Sequence, residues 1–209
     1  MVITINGKFG CGAKEIADLL AKKTGYRIIT DEMIKEATQA LGIDTSTGIY
    51  KYYDESMGES SLKDMKRFSN ISRIYRSTIG TAGGNTTPID DNMDLCARKV
   101  LNQFADDGNC IIKGHCANYY LRGRNDVINL FISDNDAERI SRVSEHLNMS
   151  KEEANKAIKT NDKRRAEYYE YFSKENWNAD NYDLRLHTST LGDEGWTDLV
   201  NYMIKLKEK

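Results

Sequence analysis

Gly7-Lys8-Phe9-Gly10-Cys11-Gly12-Ala13-Lys14 is the stretch of this chain whose residue types and spacing best suit chemistry. Glycines leave no side chain between backbone N–H groups and an anion, and they accept positive φ. Ile3-Thr4-Ile5-Asn6 before the stretch reads as a strand, and Glu15-Ile16-Ala17 after it opens an amphipathic helix. A helix N-terminus adds unpaired N–H groups and the positive end of its dipole. The expected ligand is a phosphate held by the N–H groups of Gly10, Cys11, Gly12, Ala13 and Lys14.

The fit to the phosphate-loop pattern is partial. Gly7 and Gly12 have the required separation, but Ala13 and Lys14 stand where Lys and Ser/Thr belong. Successive helical side chains rotate by about 100°, so Lys14 cannot simply replace a lysine at 13. Lys8 and Lys14 are therefore expected to share the charge role. The dinucleotide fingerprint fits less well, because Gly10-Cys11-Gly12 would require a small residue where Glu15 stands. The plain alternative is a glycine-rich turn with no ligand.

Other chemistry has little support. The four cysteines, Cys11, Cys96, Cys110 and Cys116, show no metal or redox spacing and read as reduced thiols, so no metal site is expected. Cys11 could be a thiol activated by the helix end or only a small residue beside a phosphate. No paired carboxylates or nucleophile–base set points to a hydrolase.

The elements that must position the loop follow from pattern. Among 209 residues, 39% are hydrophobic and 30% charged, with a net charge of −2, which suits a globular domain and gives no general attraction to nucleic acid polymers or anionic membranes. No apolar run is long enough to span a bilayer, and the chain enters its first strand without a leader, which reads as cytoplasmic. Apolar runs at 2–6, 26–29, 110–113, 127–132 and 182–187 read as strands separated by helical periodicity. That alternation predicts an α/β fold of three layers with a mainly parallel sheet of about five strands. Helices are expected at about 31–41, 60–79, 89–106 and 136–175, the last broken near Asn148-Met149 and restarted at Ser150-Lys151-Glu152-Glu153 as a cap followed by acids. Trp196, Leu199, Val200, Met203 and Ile204 give a final amphipathic helix. Asp31 stands either as a helix N-cap or at the carboxyl end of the second strand, where ligands bind in such sheets.

Four places then resemble the cytidylate-kinase-like family of P-loop nucleoside monophosphate kinases. They are Phe9 through Ala17, Asp31 with Met33-Ile34, Cys110 through Arg122, and Asp162-Lys163-Arg164-Arg165 with Tyr168-Tyr169 and Tyr182-Asp183-Leu184. His115 stands where the family often has Arg, and Asn118 where it has Asp. The resemblance implies one P-loop kinase domain over 1–209 with a helical lid at about 133–175 and an acceptor-binding helical segment at about 43–88. It implies ATP and Mg²⁺ as cofactors and phosphoryl transfer to a nucleoside monophosphate, cytidylate or its deoxy form. Gly114 and His115 would lie beside the phosphates, and Asn118 and Asp162 would belong to the substrate site. Arg164 and Arg165, joined by Arg139 and Arg142 on spacing, would come from the lid, whose cations repel each other without an anion. Arg73 and Arg76 fall, in chain order, where such kinases bind the acceptor. Two alternatives stay open: a nucleotide-binding protein of the same fold with little or no transfer, and a kinase of another small acceptor. A homo-oligomer is also open.

Overall fold

A computed structural model describes residues 1–41 and 88–208. The chain divides into two compact units, Met1–Thr30 with Leu101–Lys209, and Asp31–Val100. The strands are β1 (Val2–Gly7), β2 (Arg27–Ile29), β3 (Cys110–Lys113), β4 (Val127–Ser133) and β5 (Leu184–His187). The helices are α1 (Ala13–Thr24), α2 (Asp31–Ala40), α3 (Pro88–Asp106), α4 (Ala117–Tyr120), α5 (Asp136–His146), α6 (Lys151–Ser173) and α7 (Thr188–Lys207).

All five strands lie in one parallel sheet of order β2-β3-β1-β4-β5. Central β1 is buried on both faces, with Ile3 and Ile5 on one and Val2 and Thr4 on the other, as in a parallel sheet covered on both sides. Ile3 and Ile5 join Ile111, Ile128, Leu130, Ile132 and Leu186 in a core closed by Ile16 and Leu20 of α1 and Val200 and Ile204 of α7. On β4, Phe131 meets Trp177 and Tyr182 with ring centroids 5.5 and 5.1 Å apart. Thr4 donates to Asn129 Oδ1 at 2.7 Å, which keeps its hydroxyl satisfied between strands.

The expected elements recur with small boundary shifts. Tyr26 and Tyr182 lie just outside strands that start at Arg27 and Leu184. Pro88, read as the end of a loop, is the first residue of α3, where its missing N–H costs no helical bond. The break between α5 and α6 falls as expected, and Ser150 and Glu153 form a reciprocal capping box. Leu199 departs from expectation: it is 37% exposed, while Val200 and Ile204 on the same helix are buried. The helix expected at 60–79, and the proposed acceptor segment with Arg73 and Arg76, lie outside the described residues. Among the described residues no helix is long and apolar enough to cross a membrane.

Candidate phosphate-binding site

The loop leaves β1 at Gly7 and reaches α1 at Gly12, with left-handed backbone at Gly10 (φ 74°) and Gly12 (φ 81°). Only glycine adopts these angles without steric cost. Gly7 is needed for another reason: a Cβ there would stand 2.3 Å from the Ile132 carbonyl oxygen. That contact follows from β1 pairing with β4, with Gly7 opposite Ile132. The first bond of α1 runs from Ile16 N–H to Gly12 C=O at 3.1 Å, so the N–H groups of Ala13, Lys14 and Glu15 have no carbonyl a turn earlier within the helix.

Three arginines fix the carbonyl side of the loop. Arg165 donates to Gly7 C=O at 2.6 Å, Arg139 Nε to Phe9 C=O at 2.9 Å, and Arg142 to Gly10 C=O at 3.0 Å. Asp162 Oδ1 accepts the Phe9 N–H at 2.8 Å. The pattern has a simple helical origin. Arg139 and Arg142 are three residues apart on α5, Asp162 and Arg165 three apart on α6, and such pairs share a face. The Arg165 guanidinium also lies over the Phe9 ring, 5.6 Å from its centroid. Arg164 lies about 100° round α6 from Arg165 and is half-buried.

Arg139 and Arg142, two of the cations expected to repel each other, have partners within the protein. Arg139, 1% exposed, pairs with Asp162 and, at 3.0 Å, with Asp136. Arg142 lies 3.9 Å from Asp134 and 3.5 Å from Thr188 Oγ1. Both guanidinium groups thus have carboxylate and backbone partners. Asp162, expected in the substrate site, has both carboxylate oxygens on the loop and its arginine.

Lys8 is half-buried in the loop and Lys14 is exposed on the first turn of α1; neither forms an ion pair with a described carboxylate. Glu15 lies 3.5 Å from His146 Nε2. Cys11 is buried, and burial raises its thiol pKa to about 11 against the lowering pull of Arg165, so the helix end does not activate it. All four cysteines are buried and unbridged.

Gly114, His115 and Cys116 take left-handed backbone in succession (φ 69°, 54° and 54°), making the turn from β3 to α4. Gly114 N–H bonds Ile5 C=O at 2.8 Å, which pins this turn beside β1. His115 is buried. Asn118 is buried too, and its Nδ2 donates to Tyr169 OH at 2.9 Å, tying α4 to α6. Its Oδ1 has no hydrogen-bond partner among the described residues. Asp31 opens α2 in the other unit.

Sequence reasoning missed Asp134. Its side chain is fully buried at the carboxyl end of β4 and accepts from Thr188 Oγ1 at 2.6 Å, Ser189 Oγ at 2.5 Å, Ser189 N–H at 3.1 Å and Asn135 N–H at 3.0 Å. Burial opposes its charge, yet the hydroxyls of Ser189 and Thr188 prevail and lower its pKa. Asp193 was missed as well. A Cβ on Gly12 would meet its Oδ1 at 3.4 Å, and burial raises its pKa while Arg142 opposes the rise. The available signal was an acid placed directly after an apolar strand end, as in Ser133-Asp134.

A parallel sheet ordered 2-3-1-4-5, with a glycine loop between its central strand and the next helix, is a P-loop kinase fold. The chain belongs to the cytidylate kinase-like family, which it matches over residues 2–190. An uncharacterized protein from Eubacterium ventriosum is similar at 18% identity and TM-score 0.65, covering 98% of both chains. YorR from Bacillus subtilis, solved with phosphorylated GDP, is similar at 14% identity and TM-score 0.50, covering 100% of this chain and 98% of its own. Shikimate kinase from Bacteroides thetaiotaomicron is similar at 12% identity and TM-score 0.50, covering 98% of both chains. At these identities the likeness concerns the fold. No curated protein matches the sequence.

Proposed function

We propose that this chain is an ATP-dependent nucleoside monophosphate kinase of cytidylate type. The supporting observation is the orientation of the loop backbone. Arg165, Arg139 and Arg142 hold the carbonyls of Gly7, Phe9 and Gly10, the Ala13 N–H meets the Cys11 sulfur, and the N–H groups of Lys14 and Glu15 at the start of α1 have no carbonyl a turn earlier in the helix. A polyphosphate suits that cradle, since it is built of backbone donors, a helix N-terminus and nearby cations. Phosphoryl transfer asks mainly for alignment and charge stabilisation, with little covalent work by the protein. In this reading the loop N–H groups hold donor phosphates, Lys8 and Lys14 supply charge, and Gly114-His115 bounds the phosphate region beside β1.

The residues fit a nucleotide better than they fit a dedicated metal cage. Lys14 stands where a metal-binding hydroxyl belongs, and no group of three metal-ligating side chains occurs among the described residues. Mg²⁺ would arrive on the nucleotide, held chiefly by phosphate oxygens and water, and would supply charge neutralisation. A coupled assay of ADP release with CMP, dCMP, UMP, AMP, GMP and a non-nucleotide acceptor such as shikimate tests the reading. Turnover with CMP or dCMP above the other acceptors is expected, and no ADP release with any nucleoside monophosphate overturns it.

Two observations favour a second reading, a nucleotide-binding protein with little transfer. Ala13 removes the usual phosphate lysine, and Arg139 is already neutralised by Asp136 and Asp162. ATP binding by calorimetry without turnover would select it.

A further inference from the structure

The side chain of Asp134 is wholly out of solvent, and all its hydrogen-bond donors are neutral: Asn135 N–H, Thr188 Oγ1, and Ser189 N–H and Oγ. A buried carboxylate is held best when an opposite charge stands near it as well. Among the described residues, Arg142 of α5 is the one cation within 4 Å, its Nη1 lying 3.9 Å from Asp134 Oδ2. That same nitrogen donates to Gly10 C=O at 3.0 Å and lies 3.5 Å from Thr188 Oγ1. The Thr188 hydroxyl gives its single hydrogen to Asp134 and keeps lone pairs that accept from Arg142. A line of contacts thus runs from carboxylate through hydroxyl and guanidinium to the loop backbone.

The line ends on the peptide between Gly10 and Cys11. Glycine enters several backbone basins, so local sterics leave the orientation of this peptide open. In a trans peptide the C=O and N–H point in opposite directions. With Gly10 C=O on Arg142, the Cys11 N–H is aimed the other way, and it has no hydrogen-bond partner among the described residues.

We propose that Asp134 is a positioning residue for bound nucleotide. Its charge keeps the Arg142 guanidinium on Gly10 C=O, which keeps the Cys11 N–H turned towards a phosphate. This rests on the reading of the loop as a polyphosphate cradle. Asp134 itself touches no ligand. A merely structural Asp134 would do no more than fasten the turn from β5 to α7.

Titration calorimetry of the full chain with ATP separates the two roles. Loss of folded protein lowers the stoichiometry, whereas loss of positioning raises the dissociation constant. Asp134→Asn removes the charge and should weaken ATP binding about tenfold at unchanged stoichiometry. Ser189→Ala removes one hydrogen bond to Asp134, keeps the charge, and should leave the dissociation constant within about twofold. Arg142→Gln should also weaken binding, and adding Asp134→Asn to it should change affinity by less than about twofold, because both act on one contact. Thr188→Val breaks the same line at the hydroxyl; it replaces Asp134→Asn if that variant does not fold, and should weaken binding at least about threefold. Unchanged affinity in Asp134→Asn, or in Thr188→Val where it stands in, overturns the proposal. So does an equal weakening by Ser189→Ala, or additivity of Asp134→Asn with Arg142→Gln. A parent chain that binds no ATP overturns the polyphosphate reading and this proposal with it, whereas the other failures leave that reading in place.

Discussion

Asp162 and Arg139 meet on the backbone of Phe9. The carboxylate takes the Phe9 N–H at 2.8 Å, the guanidinium gives Nε to the Phe9 C=O at 2.9 Å, and the two side chains pair with each other. One loop residue is thus gripped at both polar groups by two helices. The grip fixes the two peptide planes that flank Phe9.

Removing one partner should therefore cost more than an ordinary surface ion pair. Arg139 is buried, so Asp162→Ala leaves a charge in low dielectric with only Asp136 to compensate. A loss of about 3 kcal/mol is expected, the lower end for orphaning a buried charge. Asp162→Asn retains an acceptor for the Phe9 N–H and should lose less. Urea unfolding measures both, and equal stability of Asp162→Ala and the parent chain would show that the grip contributes nothing.

The loop lysines should govern nucleotide affinity. Lys8→Ala and Lys14→Ala are each expected to weaken ATP binding by about 1–3 kcal/mol, the range for a lost charged hydrogen bond. Ala13→Lys should tighten binding or raise turnover, because it restores the cation in the direction the loop favours. Titration calorimetry checks all three, and unchanged affinity in both alanine variants would remove these lysines from the site.

Asp134 sets an acid limit on stability. Its pKa is lowered in the fold, because hydroxyl and backbone donors outweigh burial. Its contribution is therefore present above the unfolded aspartate value of about 3.9 and is lost as pH falls through the folded value. Asp134→Asn should be less stable by about 1.5–3 kcal/mol at neutral pH, the range for hydrogen bonds to a charged group. It should also lose stability less steeply below about pH 4 than the parent does. Thermal melts from pH 2.5 to 7 test the slope.

The thiols should be inert in the native state. Burial raises the Cys11 and Cys110 pKa values to about 11, and all four cysteines are buried. A thiol-specific disulfide reagent at pH 8 should react with fewer than one thiol per chain until denaturant is added. Rapid native reaction of the Cys11→Ser-sensitive thiol would mean that the loop opens readily.

The sequence by itself determined the local architecture. Apolar runs marked the five strands, and the return of apolar side chains every 3.6 residues marked the longer helices among the described residues. Gly7, Gly10 and Gly12 were legible because only glycine tolerates the positive φ and close approach that the turn demands. The Ser150–Glu153 cap was legible because both its halves lie within four residues. Tertiary structure decided what meets across long separations. Nothing local says that Asp162 and Arg139 converge on Phe9, or that Asp134 holds Thr188 and Ser189, since these pairings arise only when β1, β4 and β5 align and set their following segments side by side. The face of α7 that is buried was likewise undecided. Trp196, Leu199, Val200, Met203 and Ile204 span more of the helix than one contact can cover, and packing against α1 and the sheet selected Val200 and Ile204 and left Leu199 outside.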